Sequence, residues 1–279
     1  MKIRARLVVG CLLLAGAAGA VEWKNVDADH YCGGRKASSG YLQGKVVLVD
    51  RWGVGCPPCR ALLPRVESIW KSFKTKPCVV LGGHCEGWGT AEGIKKLVDQ
   101  NALTYPMYEG AGLAANEPKF DAIPFLYVVD ETGRIVYSGH GEREATEALV
   151  TALTDMESPR SIEQWKRFLD YELDNLPGRA YLRLKEFNKK HPSEAKAFLP
   201  KAKAMFALPK IKDLADLVAI AKEYKDYVAK TPIEKKQFPS KVKAAIRKYT
   251  PLVKALEDPR MVQEAKNSIA DLKWTLADL

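Results

Sequence analysis

Three short stretches of the chain are apolar with almost no alternation: KVVLVDRW (45–52), CVVLGG (78–83) and PFLYVVD (124–130). Short apolar runs of this kind, rich in β-branched residues and bounded by turns, read as strands buried on both faces. Between them the apolar period changes to three and four. After Cys59, the residues Leu62, Leu63, Val66, Ile69, Trp70 and Phe73 line one side of a predicted helix, with an expected kink at Pro64. GTAEGIKKLVDQN (89–101) predicts a second helix and TYPMYE (104–109) a short extended piece. IPFLYVVD, ETGR and IVYSG (123–139) predict a hairpin, because turn chemistry separates two apolar runs. EREATEALVTALTDM (142–156) closes the series as a helix. The order predicts an α/β fold with a mixed central sheet: parallel strands, an antiparallel edge and flanking helices. Sites in such sheets form at the carboxyl ends of the parallel strands. The segment that follows the first strand is GVGCPPC (53–59).

After Met156 the texture changes. Strand patterns vanish, Lys, Ala, Leu and Glu dominate, and prolines recur at 159, 177, 192, 200, 209, 232, 239, 251 and 259. Ser161-x-x-Gln164 is a capping box, followed by Trp165, Phe168, Leu169, Leu173 and Leu176 on one helical face. Val262, Ala265, Ile269, Leu272 and Leu276 repeat that pattern near the end. Residues 156–279 therefore read as a second, all-helical domain of short helices, beside a first domain at 21–155. Residues 184–204 also match 224–244 at an offset of 40, with nine of 21 positions identical. Two helix-turn-helix units broken at Pro192 and Pro232 would give this match, and so would shared Lys/Ala richness in an ordinary bundle.

The first twenty residues stand apart. A basic MKIRAR, an apolar LVVGCLLLAGAAGA and the Ala18-Gly19-Ala20 cleavage pattern read as a signal peptide. Its apolar run is shorter than the roughly 20 residues that a membrane span prefers, and no later run could span. The expectation is an exported, periplasmic or extracellular protein with no stable membrane span after cleavage. Export places five cysteines, Cys32, Cys56, Cys59, Cys78 and Cys85, in an oxidising compartment, where an odd count leaves one without an internal partner. The net charge of +10 is uneven: residues 21–154 carry −1 and residues 155–279 carry +8. The lysines of the second half are interleaved with Glu, as on a solvated surface, and an exported protein rarely meets nucleic acid. Nucleic acid is therefore not an expected partner.

Three roles are open to Cys56 and Cys59: metal ligands, a structural bridge, or a redox couple. A structural zinc site needs four ligands, and no second CxxC exists. A bridge across two residues closes too short a loop to constrain the unfolded chain much. At a helix start, however, this spacing puts the first sulfur among free N–H groups that favour a thiolate, with the second one turn on. The first sulfur can then attack a substrate disulfide and the second resolve the mixed disulfide. That chemistry needs no bound cofactor.

The stretch GKVVLVDRW…CPPCR, with Trp52 four residues before Cys56, Pro64 five after Cys59, and Ile123-Pro124 entering a strand, resembles the thioredoxin superfamily. It looks most like the exported TlpA/ResA-type members, over about residues 21–155. The helical half carries no such likeness. The resemblance implies a thioredoxin-like fold, Cys56 as nucleophile and Cys59 as resolving thiol. It implies Asp50 as a buried carboxyl able to take a proton from Cys59, and Pro124 as a cis-proline facing the disulfide. Trp52, Pro57, Pro58 and Ile123 would be the substrate-binding residues. Gly55 departs from the family, which usually places Trp there, so the wall of the nucleophile is expected to be barer.

Pro57 and Pro58 supply neither charge nor donor to a thiolate, so the pair is expected to act as a reductant or isomerase rather than a strong oxidant. Expected partners are protein substrates with disulfides and a redox donor protein. The helical half would dock clients or form a homo-oligomer. A non-catalytic scaffold carrying a thioredoxin-like module is the rival reading. For the other cysteines, a Cys32–Cys85 disulfide, a soft-metal site of His30, Cys32, His84 and Cys85, or separate thiols all remain open. Cys78 is expected as a small buried hydrophobe.

Overall fold

The run from Val46 to Trp52 has no polar face to present to water, and it forms the middle of a sheet. The computed structural model describes residues 21–27, 30–31, 36–228 and 238–277, so the expected signal peptide lies outside the described residues. The first half contains β1 (Trp23–Lys24), α1 (Ser39–Leu42), β2 (Val46–Trp52), α2 (Pro57–Phe73), β3 (Cys78–His84), α3 (Ala91–Gln100), β4 (Met107–Glu109), β5 (Gly112–Leu113), β6 (Phe125–Val129), β7 (Ile135–Gly139) and α4 (Glu142–Glu157). The main sheet has the order β4-β3-β2-β6-β7, with β2, β3 and β4 parallel, β6 antiparallel to β2, and β7 antiparallel to β6. β1 and β5 form a separate ribbon.

Alternation along β2 divides the core into two layers. Val46, Leu48 and Trp52 face α2, α3 and α4, where Leu63, Trp70, Ile94 and Leu149 pack with them. Val47 and Val49 face the other way, toward Tyr41, Leu42, Tyr108 and Tyr127. β2 and β3 are buried at every position, which explains their unbroken apolar sequence. Pro64 lies inside α2, which continues past it to Phe73.

The second half is helical: α5 (Ile162–Asn175), α6 (Pro177–Lys190), α7 (Pro192–Ala195), a 3-10 turn (Lys196–Phe198), α8 (Leu199–Phe206), α9 (Ile211–Val228), α10 (Phe238–Tyr249), α11 (Leu252–Ala255) and α12 (Pro259–Ala277). Its prolines explain the short helices. Pro177, Pro192, Pro200 and Pro259 sit in first turns, where a missing N–H loses no helical bond. Ser161 caps α5 by accepting from the Gln164 N–H at 3.1 Å, and the Gln164 side chain reaches back to the Arg160 N–H at 2.7 Å. Trp165, Phe187, Phe198, Phe238 and Leu272 belong to one core. In the repeated segments, the Phe187 and Phe198 rings lie 6.0 Å apart and the Tyr224 and Phe238 rings 5.2 Å apart. The break expected at Pro232 lies outside the described residues.

The halves are joined at the end of the sheet away from Cys56. Arg179 Nη1 donates to the Gly44 carbonyl at 2.7 Å, and Asn267 Nδ2 to Gly40 at 2.7 Å. Tyr41 Oη donates to Asp271 at 2.7 Å and meets Trp274 edge-on at 4.3 Å. Trp274 and Ala270 of α12 thus roof part of the sheet face opposite α2. A buried charge cluster continues the joint: Arg183 Nε is 2.7 Å from Glu172 and Arg167 Nη2 is 3.5 Å from Asp130. β2 rises roughly 20 Å over its seven residues, so this joint and Cys56 lie at opposite ends.

Candidate active site

Parallel pairing brings the ends of β2 and β3 together, with Trp52 opposite His84. Antiparallel pairing sets the start of β6 at the same place, with Arg51 opposite Phe125. The chain leaving β2 turns through Gly53-Val54-Gly55, and Cys56 becomes the N-cap of α2. Pro57 fits the first helical position because its φ is preset and its N–H is not needed. The Cys59 N–H points at Cys56 Sγ at 3.2 Å, so an unbonded helix donor serves the first sulfur.

Cys56 and Cys59 form a disulfide. Both are buried, while Pro57 and Pro58 beside them are exposed. The Ile123–Pro124 peptide bond is cis, and the Ile123 carbonyl oxygen lies 3.5 Å from Cys56 Sγ. Ile123 and Pro124 are half-buried. The Pro124 carbonyl is 2.7 Å from His140 Nδ1, which ties the start of β6 to the residue after β7.

Asp50 lies two residues before Trp52, on the layer that holds both sulfurs. It is buried and accepts a 3.5 Å contact from Tyr105 Oη. Burial pushes its carboxyl up to about 7, against smaller lowering effects of Tyr105 and Arg51. A carboxyl in that range can exchange a proton near neutrality. Trp52 is not at the surface: it is fully buried and meets the His84 ring edge-on at 5.0 Å. It forms the floor of the site rather than a face for substrate.

Two residues at this end of the sheet, Trp88 and His84, take contacts that the sequence did not assign to them. Trp88 is half exposed and packs over Gly53, where an added Cβ would come 2.6 Å from Trp88 Cβ. Its carbonyl accepts the Gly55 N–H at 3.0 Å, so Trp88 stands beside the position where Gly55 leaves the wall bare. Gly87, with φ of +79°, allows the turn that brings Trp88 back. His84 Nε2 accepts the Val54 N–H at 3.3 Å and so holds the loop before Cys56. Burial pulls His84 below the usual imidazole range, consistent with an acceptor nitrogen. Arg51 is buried on the opposite sheet layer, with Nη1 donating to the Ala111 carbonyl.

Cys85 is a buried thiol just past β3, and burial raises its pKa. Cys78 is also buried, as expected. Cys32 lies outside the described residues, and with it the Cys32–Cys85 pairing. The His30 ring lies 5.8 Å from that of Tyr108, tilted by 35°. Among the described residues no cluster of three His, Cys, Asp or Glu side chains could hold a metal ion. No helix of the described residues is long and apolar enough to cross a membrane.

The sheet order, the cis-proline opposite the sulfurs and the disulfide at a helix start define a thioredoxin-like domain with a CxxC centre. About the N-terminal 45 % of the chain is homologous to thioredoxin-like, TlpA/ResA-type thiol-disulfide oxidoreductases. The thioredoxin-like protein YneN of Bacillus subtilis is 29 % identical over 103 residues, which cover 37 % of this chain and 60 % of that protein. The thiol-disulfide oxidoreductase ResA of Oceanobacillus iheyensis is 25 % identical over 95 residues, 34 % of this chain and 48 % of that one. The chain thus spans less than two thirds of the length of these curated relatives. A solved thiol-disulfide isomerase from Corynebacterium glutamicum is 20 % identical, covering 49 % of this chain and 96 % of its own, with a TM-score of 0.39. No family model matches the chain.

Proposed function

We propose that the chain is an exported thiol–disulfide oxidoreductase that exchanges two electrons with protein disulfides through Cys56 and Cys59. The observation that carries this reading is the disulfide at the α2 N-terminus, with the Cys59 N–H on Cys56 Sγ and the cis Ile123–Pro124 bond beside it. In the reduced protein, Cys56 thiolate attacks one sulfur of a client disulfide, and the other client sulfur leaves as a thiolate. Asp50 takes the Cys59 proton, and Cys59 attacks Cys56 Sγ. The second client thiolate leaves, and the Cys56–Cys59 disulfide forms. The client gains the two electrons the dithiol loses, and a dithiol donor protein returns them. Export rests on the signal-like residues 1–20.

A reductant or isomerase is favoured over a strong oxidant because Pro57 and Pro58 bring no charge or donor to the reduced thiolate. The test is equilibration of the Cys56/Cys59 couple with glutathione or dithiothreitol, with Cys32, Cys78 and Cys85 replaced by Ser. A potential near or below about −180 mV supports a reductant or isomerase; one near about −120 mV assigns a strong oxidant and overturns that preference.

The helical half is proposed to dock clients or to pair with a second copy. Exposed Leu199 and Phe206 on α8 support an apolar contact there. Leu199→Ser with Phe206→Ser should lower kcat/KM for a protein client but not for a short disulfide peptide, or shift a dimer to monomer in sedimentation. Neither effect would remove this role.

A further inference from the structure

A cavity of about 430 Å³ opens at the Cys56 end of the sheet, with Trp88, Cys85 and Ile123 in its wall. Ile123 belongs to its wall, and the same residue places its carbonyl 3.5 Å from Cys56 Sγ. A client held by Cys56 therefore has neighbouring residues at the mouth of this cavity. The two cations in the wall are already engaged. Lys24 Nζ lies 2.7 Å from one Glu117 oxygen, and Arg51 Nε lies 3.6 Å from the other. The carboxylates of Glu86 and Asp121 also line the cavity, are exposed, and form no ion pair among the described residues. The uncommitted charge is thus negative, on a protein whose net charge is +10.

Two aromatic rings complete the wall. Phe120 already carries the Arg51 guanidinium, 5.5 Å from its centre. Trp88, 50 % exposed, presents its ring without a cation on it among the described residues.

We propose that this cavity is a side-chain subsite of the client site, and that it takes a lysine or arginine close in sequence to the client's disulfide cysteine. The cation lies against Trp88 between Glu86 and Asp121. The inference deepens the oxidoreductase reading and rests on Cys56 as the exchanging sulfur.

The test uses three disulfide-bonded peptides that differ only in one residue flanking the cysteine: Lys, Ala or Glu. The full chain reduces them with dithiothreitol as electron donor. The Lys peptide should show kcat/KM about tenfold above the Ala peptide at low salt, the combined scale of an exposed ion pair and a cation–π contact. Glu86→Gln with Asp121→Asn should cut that ratio about threefold, Trp88→Ala alone should do the same, and the three substitutions together should bring it to about one. Equal rates for Lys and Ala, or preference for Glu, would overturn the subsite. Dye-labelled copies with Ser for Cys separate the two readings by anisotropy. Tightest binding of the Lys peptide with no turnover of any peptide keeps the subsite and overturns the oxidoreductase reading. Turnover with no order in rate or binding does the reverse.

Discussion

Replacing Asp50 by Asn should make the oxidised protein more stable, and only above mildly acid pH. Asp50 is buried, and burial holds its carboxyl at about 7 instead of the ordinary 3.8. The gap is about three units, and each unit is worth about 1.36 kcal/mol, so the ionised carboxylate costs the folded chain about 4 kcal/mol. The neutral form is the one the fold prefers. Its stabilisation is fully present below the unfolded value of 3.8 and is lost as pH rises through about 7. Asn keeps the shape and removes the titration. Urea unfolding of the oxidised wild type and of Asp50→Asn at about pH 4 and about pH 8.5 reads the difference. The advantage of Asn should grow by about 4 kcal/mol between these two conditions. A difference that stays constant with pH would mean that Asp50 titrates normally, and would remove it as the base for Cys59. In the reduced protein the same substitution should slow resolution of the mixed disulfide about a hundredfold at neutral pH.

Other consequences follow from the joint and the cores. Glu131 is buried where the halves meet, and burial, then the charge of Asp130, push it up to about 8. Glu131→Gln should therefore raise Tm at about pH 9.5 and leave it unchanged at about pH 4, read by calorimetry; an equal shift at both would refute this. Phe187 is fully buried in the helical core, so Phe187→Ala should lower unfolding free energy by about 3–5 kcal/mol in urea titrations. His84→Leu leaves the Val54 N–H without its acceptor and should cost about 1–3 kcal/mol, with faster amide exchange at Val54. Truncation after Glu157 removes Ala270 and Trp274 from the sheet face and should lower Tm of the remaining half, so a truncated chain is a poor probe of client docking.

The sheet was legible because β2, β3 and β6 are buried on both faces and begin as short, mainly apolar runs between turns. The cysteine pair was legible because its chemistry is local: N-cap, first turn and Pro57 follow one another in sequence. What escaped depends on distant partners. β1 and β5 are two residues each and exist only through their pairing across the chain. Trp88 reads as part of a glycine-rich loop, and only the turn at Gly87 and the bare Gly53 bring it over the site. Trp52 was expected to face substrate, yet strand alternation sends it inward with Leu48. The placement of α12 against α1 and Asp271 against Tyr41 has no local signal at all.

The most direct test of Cys56 as the exchanging sulfur is trapping with a disulfide-bonded peptide, read by intact-mass and peptide-map spectrometry. Reduced Cys59→Ser should accumulate a mixed disulfide on Cys56, because the resolving sulfur is gone. Cys56→Ser should form none. A mixed disulfide that maps to Cys78 or Cys85, or that forms equally well without Cys56, would contradict the mechanism.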